Sequence, residues 1–157
     1  MTTATQSNQL LKIFNIFMYG IMSGLWDMFD ESATVAIGET GAEMLELVEE
    51  ANGLKIKGKD SAEILHNVST LLVNNVGSMT AGKVTVDGNK ASMSCANCVL
   101  QESTALFEAR GVPPFACLPM NIGAAALKRE FGIKHRLLKR DWNETTKTCT
   151  INFELVK

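Results

Sequence analysis

Between Gln9 and Phe29 the chain is apolar on nearly every side, and no other stretch constrains the fold as tightly. Leu10, Leu11, Ile13, Phe14, Ile16, Phe17, Met18, Tyr19, Ile21, Met22, Leu25 and Trp26 leave no polar stripe wide enough for a solvent face. A helix of this kind must be covered all round. The first helix of a small domain meets its own core on one side only, so a second subunit is the natural cover. Phe14, Phe17, Ile21 and Leu25 are then the interface of a homodimer, and Gly20 and Gly24 admit a second backbone. Burial inside the same monomer is the alternative. A membrane span is not expected, because the uncharged run Ile13–Trp26 is shorter than the ~20 residues a span needs. Lys12 is the only basic residue ahead of that run and no small-residue cleavage site follows it, so a secretory leader is not expected either. The expected setting is the cytoplasm, with reduced thiols.

Everything after this helix has an ordinary globular composition. The 157 residues are 46% hydrophobic and 20% charged, enough for one core without disulfide staples. Fifteen basic against seventeen acidic residues give no positive excess, which argues against a nucleic-acid partner. Residues 1–8 are polar and read as a disordered tail; residues 9–157 read as a single domain.

The pattern predicts helices first. Asp30–Ala36 reads as a break, and a second helix runs from Ile37 to about Ala51, with Met44, Leu45 and Val48 inward and Glu43, Glu46, Glu49 and Glu50 on a solvated face. Asn52-Gly53 ends it. Leu54–Gly58 reads as a short strand. Asp60 or Ser61 caps a third helix whose buried stripe is Ile64, Leu65, Val68, Leu71 and Leu72. The period then changes. Lys83–Val86 and Lys90–Ser94 form a hairpin about Asp87-Gly88-Asn89. Helices follow at Val99–Ala109 and Met120–Phe131, separated by a Pro113-Pro114 loop, with Asn121 as a cap and Gly132 as a stop. A second hairpin, Lys134–Trp142 with Lys147–Val156, closes the chain, and Cys149, Ile151, Phe153 and Leu155 share one of its faces. The fold class is α+β, with helices packed on an antiparallel sheet.

Catalytic constellations are absent. His66 and His135 have no motif around them and read as solvated or structural; no phosphate loop, nucleophile elbow or dinucleotide fingerprint occurs. The cysteines carry the sharpest chemical signal. Cys95-Ala-Asn-Cys98 lies between a predicted strand and a predicted helix, and Cys117 and Cys149 stand apart from it. Packed thiols, a metal site and a redox pair all remain open on this spacing.

The order of several short motifs resembles a known family. They are Ser32-Ala-Thr-Val-Ala-Ile-Gly-Glu-Thr-Gly-Ala-Glu-Met-Leu45, the strand ending at Asn97-Cys98, Pro114-Phe-Ala-Cys117 leading to Met120-Asn-Ile-Gly123, and Cys149-Thr-Ile-Asn-Phe153-Glu-Leu near the end. Over roughly residues 10–157 the chain resembles the 4-vinyl-reductase-type small-molecule-binding domain, a hydrocarbon-binding relative of transport-protein-particle subunits. The resemblance implies a dimer that uses its N-terminal helix and an internal apolar pocket. Phenol-sensing members carry zinc near that pocket on a Cys before a helix, a Glu and two Cys of the final hairpin. Cys117 matches the first ligand and Cys149 the last, whereas Leu138 stands where the Glu would be and Asp141 where the intervening Cys would be. Asp141, Cys98 or Cys95 would have to complete the set.

The function expected on these grounds is non-enzymatic: a module that holds a small, largely apolar ligand and acts as sensor or carrier. Phe107, Phe115, Met120, Ile122 and Phe131 are the expected lining. Two other readings remain. One is a scaffold subunit that meets a protein partner through its dimer surface. The other is a thiol- or metal-dependent accessory protein in tetrapyrrole or methyl-group metabolism.

Overall fold

The structure, a computed structural model, describes residues 4–113 and 115–156, with side chains from Gln6 onward. Its elements run α1 (Ala4–Phe29), α2 (Ser32–Asn52), α3 (Ser61–Asn74), β1 (Ala81–Asp87), β2 (Lys90–Ala96), α4 (Gln101–Ala109), α5 (Leu118–Phe131), β3 (Lys134–Asn143) and β4 (Thr148–Val156). The chain is therefore α+β, with one four-stranded antiparallel sheet in the order β1-β2-β4-β3. Its contacts divide it into two compact units: residues 1–37 with 99–117, and residues 38–98 with 118–157.

Four local expectations need correction. The tail is shorter than residues 1–8, because α1 already begins at Ala4; residues 1–3 lie outside the described residues. The break expected over Asp30–Ala36 shrinks to Asp30 and Glu31. Asp30 takes the left-handed conformation (φ 48) that aspartate tolerates, and α2 starts at once behind it. Asn121 does not cap α5, which begins three residues earlier at Leu118, and its side chain is buried inside the helix. Leu54–Gly58 is not a strand, for a reason given below. Pro114, in the expected Pro-Pro loop, is outside the described residues.

The first unit is built on α1, the start of α2 and α4. Met22, Ala33, Ile37, Phe107, Val112 and Phe115 form its buried core, with Met18, Tyr19, Leu25 and Trp26 packed against them. A run of rings joins the helices: Tyr19 to Phe107 at 5.2 Å, Phe107 to Phe115 at 5.8 Å and Phe115 to Trp26 at 5.7 Å between centroids. The largely apolar α1 buries two polar side chains, Asn15 and Ser23. Asn15 is buried, donating to the carbonyls of Leu11 and Val99 and accepting from the Ser103 amide. Leu100, at the N-cap of α4, offers no capping side chain, so Asn15 satisfies that helix start from α1.

The second unit holds the sheet, α3, α5 and α2 from Gly38 onward. Helix α3 follows the expectation closely: Asp60 accepts from the Glu63 amide, and Ile64, Leu65, Val68, Leu71 and Leu72 are buried. Gly132, with φ 68, ends α5 and turns the chain into β3. Gly41 of α2 lies against the backbone of Asn121, where a Cβ would fall 2.6 Å from the carbonyl oxygen; only glycine fits without displacement.

The decisive feature of this unit is Glu49, expected on the solvated face of α2 and found fully buried. Arg129 of α5 grips both carboxylate oxygens at 2.9 Å, Lys55 adds a third bond at 2.8 Å, and the Ile56 amide a fourth at 2.7 Å. Arg129 also donates to the Ile56 carbonyl at 2.6 Å. Ile56 and the Lys57 carbonyl therefore bond to the side chains of Glu49, Arg129 and Asn67, and the Leu54 amide to the Glu49 carbonyl, rather than to a neighbouring strand. Burial alone would raise the Glu49 pKa; the hydrogen bonds from Arg129, Lys55 and Ile56 outweigh it and hold the carboxyl at about 2, below the ordinary 4.5.

A folded pKa below the unfolded one means that Glu49 stabilises fully above pH 4.5 and loses that contribution as pH falls toward 2. The difference corresponds to about 3 kcal/mol. Urea titrations from pH 7 to pH 3 should show wild-type stability falling through this window, and Glu49→Gln should flatten the fall. Arg129→Met, which strands the buried carboxylate, should cost about 3–5 kcal/mol at pH 7.

Candidate functional site

Within the second unit, three turns meet over the edge of the core and leave a groove of about 470 Å³. The α3 start contributes Lys59, Asp60 and Ser61; the β1–β2 turn contributes Gly88 and Asn89; Phe131, Ile133 and Leu155 come from the α5–β3 corner and from β4. The volume is that of a small-molecule site.

Each turn is fixed by local chemistry. At α3 the Asp60 carboxylate accepts from the Glu63 amide while Glu63 accepts from the Lys59 amide, a reciprocal cap that commits both acidic groups to the backbone. Gly88 takes φ 57, which a two-residue hairpin turn requires. Asn89 donates its side-chain amide to Glu154 and accepts the Leu155 amide on its carbonyl, so the turn is tied to β4. Phe131 is 39% exposed, Leu155 is half-buried and Ile133 is buried. The groove thus has an apolar floor beneath a rim carrying an ammonium, a carboxylate, a hydroxyl and an amide. It can shelter a small apolar body and meet one polar substituent.

The five expected lining residues do not share one environment. Phe131 lines the groove; Met120 and Ile122 are buried in α5 of the same unit; Phe107 and Phe115 belong to the ring cluster of the first unit. Sequence reasoning missed Lys59, Ser61, Asn89 and Ile133 as neighbours of Phe131. The turn residues Gly88 and Gly132 were legible, but their convergence depends on tertiary packing.

The cysteines separate as well. All four carry thiols. Cys117 belongs to the first unit, the other three to the second. Cys95 and Cys149 are direct cross-strand partners and are buried; Cys98 is half-buried. Burial, with the neighbouring Cys98 and Cys149 sulfurs adding to it, pushes the Cys95 thiol up to about 12. Arg140 of β3 donates Nε–H to Cys149 Sγ at 2.9 Å. Asp141 cannot join Cys149 as a ligand. It pairs with Thr150 across the ladder, on the opposite face of the sheet, and its carboxylate is held by Lys139 and Asn152. Among the described residues no three His, Cys, Asp or Glu side chains are grouped to hold a metal ion.

The histidines have no catalytic setting. His66 is exposed on α3, while His135 stands edge-on to Phe153 at 6.3 Å, its pKa lowered by burial. On α1, Phe14, Phe17 and Ile21 are exposed in the single chain, whereas Leu25 packs against the first unit's core. No Cβ built on Gly20 or Gly24 would meet an atom within 4 Å. Among the described residues, no helix is long and apolar enough to cross a membrane.

No protein-family model matches the chain, and no curated protein matches it in sequence. Solved structures do. The phenol-responsive sensory domain of the transcription activator PoxR, determined with phenol, aligns over 89% of this chain and 73% of its own at a TM-score of 0.52 and 14% identity. A Cs H-NOX mutant carrying 4-cyano-L-phenylalanine aligns over 87% and 70% at a TM-score of 0.48 and 10% identity, too distant to carry an argument. The likeness to the sensory domain extends the α+β assignment to a known architecture.

Proposed function

We propose that this chain is a non-enzymatic sensory module that binds a small, largely apolar ligand in the groove floored by Phe131, Ile133 and Leu155. The groove carries the reading: it is of ligand size, apolar beneath and polar at one rim. The architecture shared with a phenol-responsive sensory domain supports it and suggests the ligand's character, an aromatic or short aliphatic body with one hydroxyl or acid group. Lys59, Ser61 and Asn89 would meet that group. Phe107, Phe115, Met120 and Ile122 act as packing in this reading, and the sheet's thiols stand outside it.

A ligand that binds only the folded chain raises its stability, by ~2.7 kcal/mol at a hundredfold excess over Kd. Thermal denaturation with a panel of phenols and short fatty acids should show a saturable rise with at least one class. Phe131→Glu, a change at the surface, should remove that rise while leaving the unliganded melting temperature near its original value. A flat response across the panel would overturn the proposal.

The exposed side of α1 favours a second role, self-association. Ile13, Phe14, Ile16 and Phe17 are each more than two-fifths exposed, a contiguous apolar surface of the sort that marks an interaction site. A homodimer through α1 is therefore part of the proposal. Sedimentation at micromolar concentration should give a dimer, and Phe17→Glu a monomer with unchanged helical circular dichroism. A well-folded wild-type monomer would refute this part alone.

A further inference from the structure

Cys95 of β2 and Cys149 of β4 stand directly opposite one another. The phase of their ladder follows from two bonds near its ends, Asn97 N–H to the Lys147 carbonyl and Leu155 N–H to the Asn89 carbonyl. Hydrogen-bonded and non-bonded pairs alternate along antiparallel strands, so the 95–149 pair, an even number of steps from both, is a hydrogen-bonded one. Such a pair holds its Cα atoms ~5.5 Å apart, inside the roughly 4.4–6.8 Å that a disulfide spans. The Cβ atoms of a hydrogen-bonded pair, at about 5.5 Å, must draw in toward about 3.8 Å, so bonding needs a local give in the backbone. The pair lies one residue from the end of β2 and one from the start of β4, just inside the closing Asn97–Lys147 bond. Arg140 supplies the second element. Its Nε–H on Cys149 Sγ stabilises the negative charge this sulfur bears as attacking or leaving group.

We propose that Cys95 and Cys149 form a dithiol site oxidised by small-molecule disulfides, with Arg140 as the positioning residue of Cys149. Cys149 gives up its proton to solvent, and its thiolate attacks one sulfur of the external disulfide, makes a mixed disulfide and expels one thiolate, which takes a proton from water. Cys95 then gives up its proton to solvent and attacks the Cys149 sulfur; the mixed bond breaks and the second thiolate leaves, to be protonated in turn. Two protein thiols are oxidised and one external disulfide is reduced to two thiols. The Arg140 hydrogen bond on Cys149 and the deeper position of Cys95 set the order, Cys149 first and Cys95 second. The site does not depend on the ligand-binding reading, since none of its residues lines the groove.

The test is oxidation of the native protein with oxidised glutathione, alkylation of the remaining thiols and tryptic mapping without reduction. Trypsin leaves Cys95 and Cys98 together on residues 91–110 and Cys149 on residues 148–157. A cross-link between these peptides is expected in the wild type and in Cys98→Ser, where it can only join Cys95 to Cys149. Cys95→Ser should instead accumulate a glutathione adduct on Cys149. Arg140→Gln should slow cross-linking by about tenfold, as expected for loss of one charge-assisted hydrogen bond, and Arg140→Lys should restore part of the rate. The Cys98→Ser chain keeps the proposal decisive even if the buried serine variants fail to fold. Absence of the link, a link confined to residues 91–110, or a link lost in Cys98→Ser would overturn it, and equal rates for wild type and Arg140→Gln would overturn the role of Arg140.

Discussion

The second unit turns on one buried charge. Glu49 has no solvent, so each of its lone pairs must be met by protein, and the partners that meet them set the geometry around it. Arg129 ties α5 to α2, and the same guanidinium fork holds the Ile56 carbonyl while Ile56 returns its amide to the carboxylate. The segment after α2 is thereby ordered without a strand. That segment leads directly to Lys59 and Asp60 at the groove's rim, and Arg129 lies two residues before Phe131 on its floor. One ion pair thus steers both walls of the candidate site. A hydrophobic pair of similar volume would be as stabilising or more so, but it would not hand two hydrogen bonds to an otherwise unpaired backbone.

The same residue shows where sequence reading stops. Glu46, Glu49 and Glu50 follow one another on α2, but only Glu49 stands four residues after Leu45, on the buried stripe that also holds Gly41; a charge in that phase reads as solvated until its partners are known. Its partner, Arg129, is 80 residues away in sequence, so the pairing that makes the burial tolerable is a property of tertiary structure alone. Elements whose determinants are local were legible. The Asp60 cap and apolar stripe of α3, the glycine turn at 88 and the alternation along β4 need only neighbours a few residues away. Leu54–Gly58 had a strand's composition but no strand beside it, and the break before α2 was drawn too wide because Asp30 alone makes the turn.

Helix α1 was read correctly as apolar all round, yet periodicity could not show that Asn15 sits on its buried side. A polar side chain in that position is stable only because Val99 and the start of α4 present a carbonyl and an amide to it. The cysteine motif was legible only in part. Cys-x-x-Cys spacing draws attention to Cys95 with Cys98, which is a neighbour of it in the structure, and the sheet adds Cys149 opposite Cys95 and brings Arg140 from the neighbouring strand. Asp141 fell away for the same reason, since a one-residue step along β3 moves a side chain to the other face.

Both candidate chemistries are mounted on the central pair of strands. The ladder joining β2 to β4 has its Asn89–Leu155 end at the groove and its Cys95–Cys149 pair toward the other end, six residues along, or ~20 Å at the usual rise per residue. Central strands are the most firmly held part of a sheet, and their register cannot slip by one residue without turning Met93, Ile151 and Phe153 out of the core. A disulfide at one end therefore has no means of sliding the ladder under the groove. What it can do is fix the strand ends locally, where Asn97 and Lys147 both adopt left-handed backbone and bridge the two strands. Ligand and oxidant would then act on one rigid element from opposite ends, each sensed by the turns nearest to it.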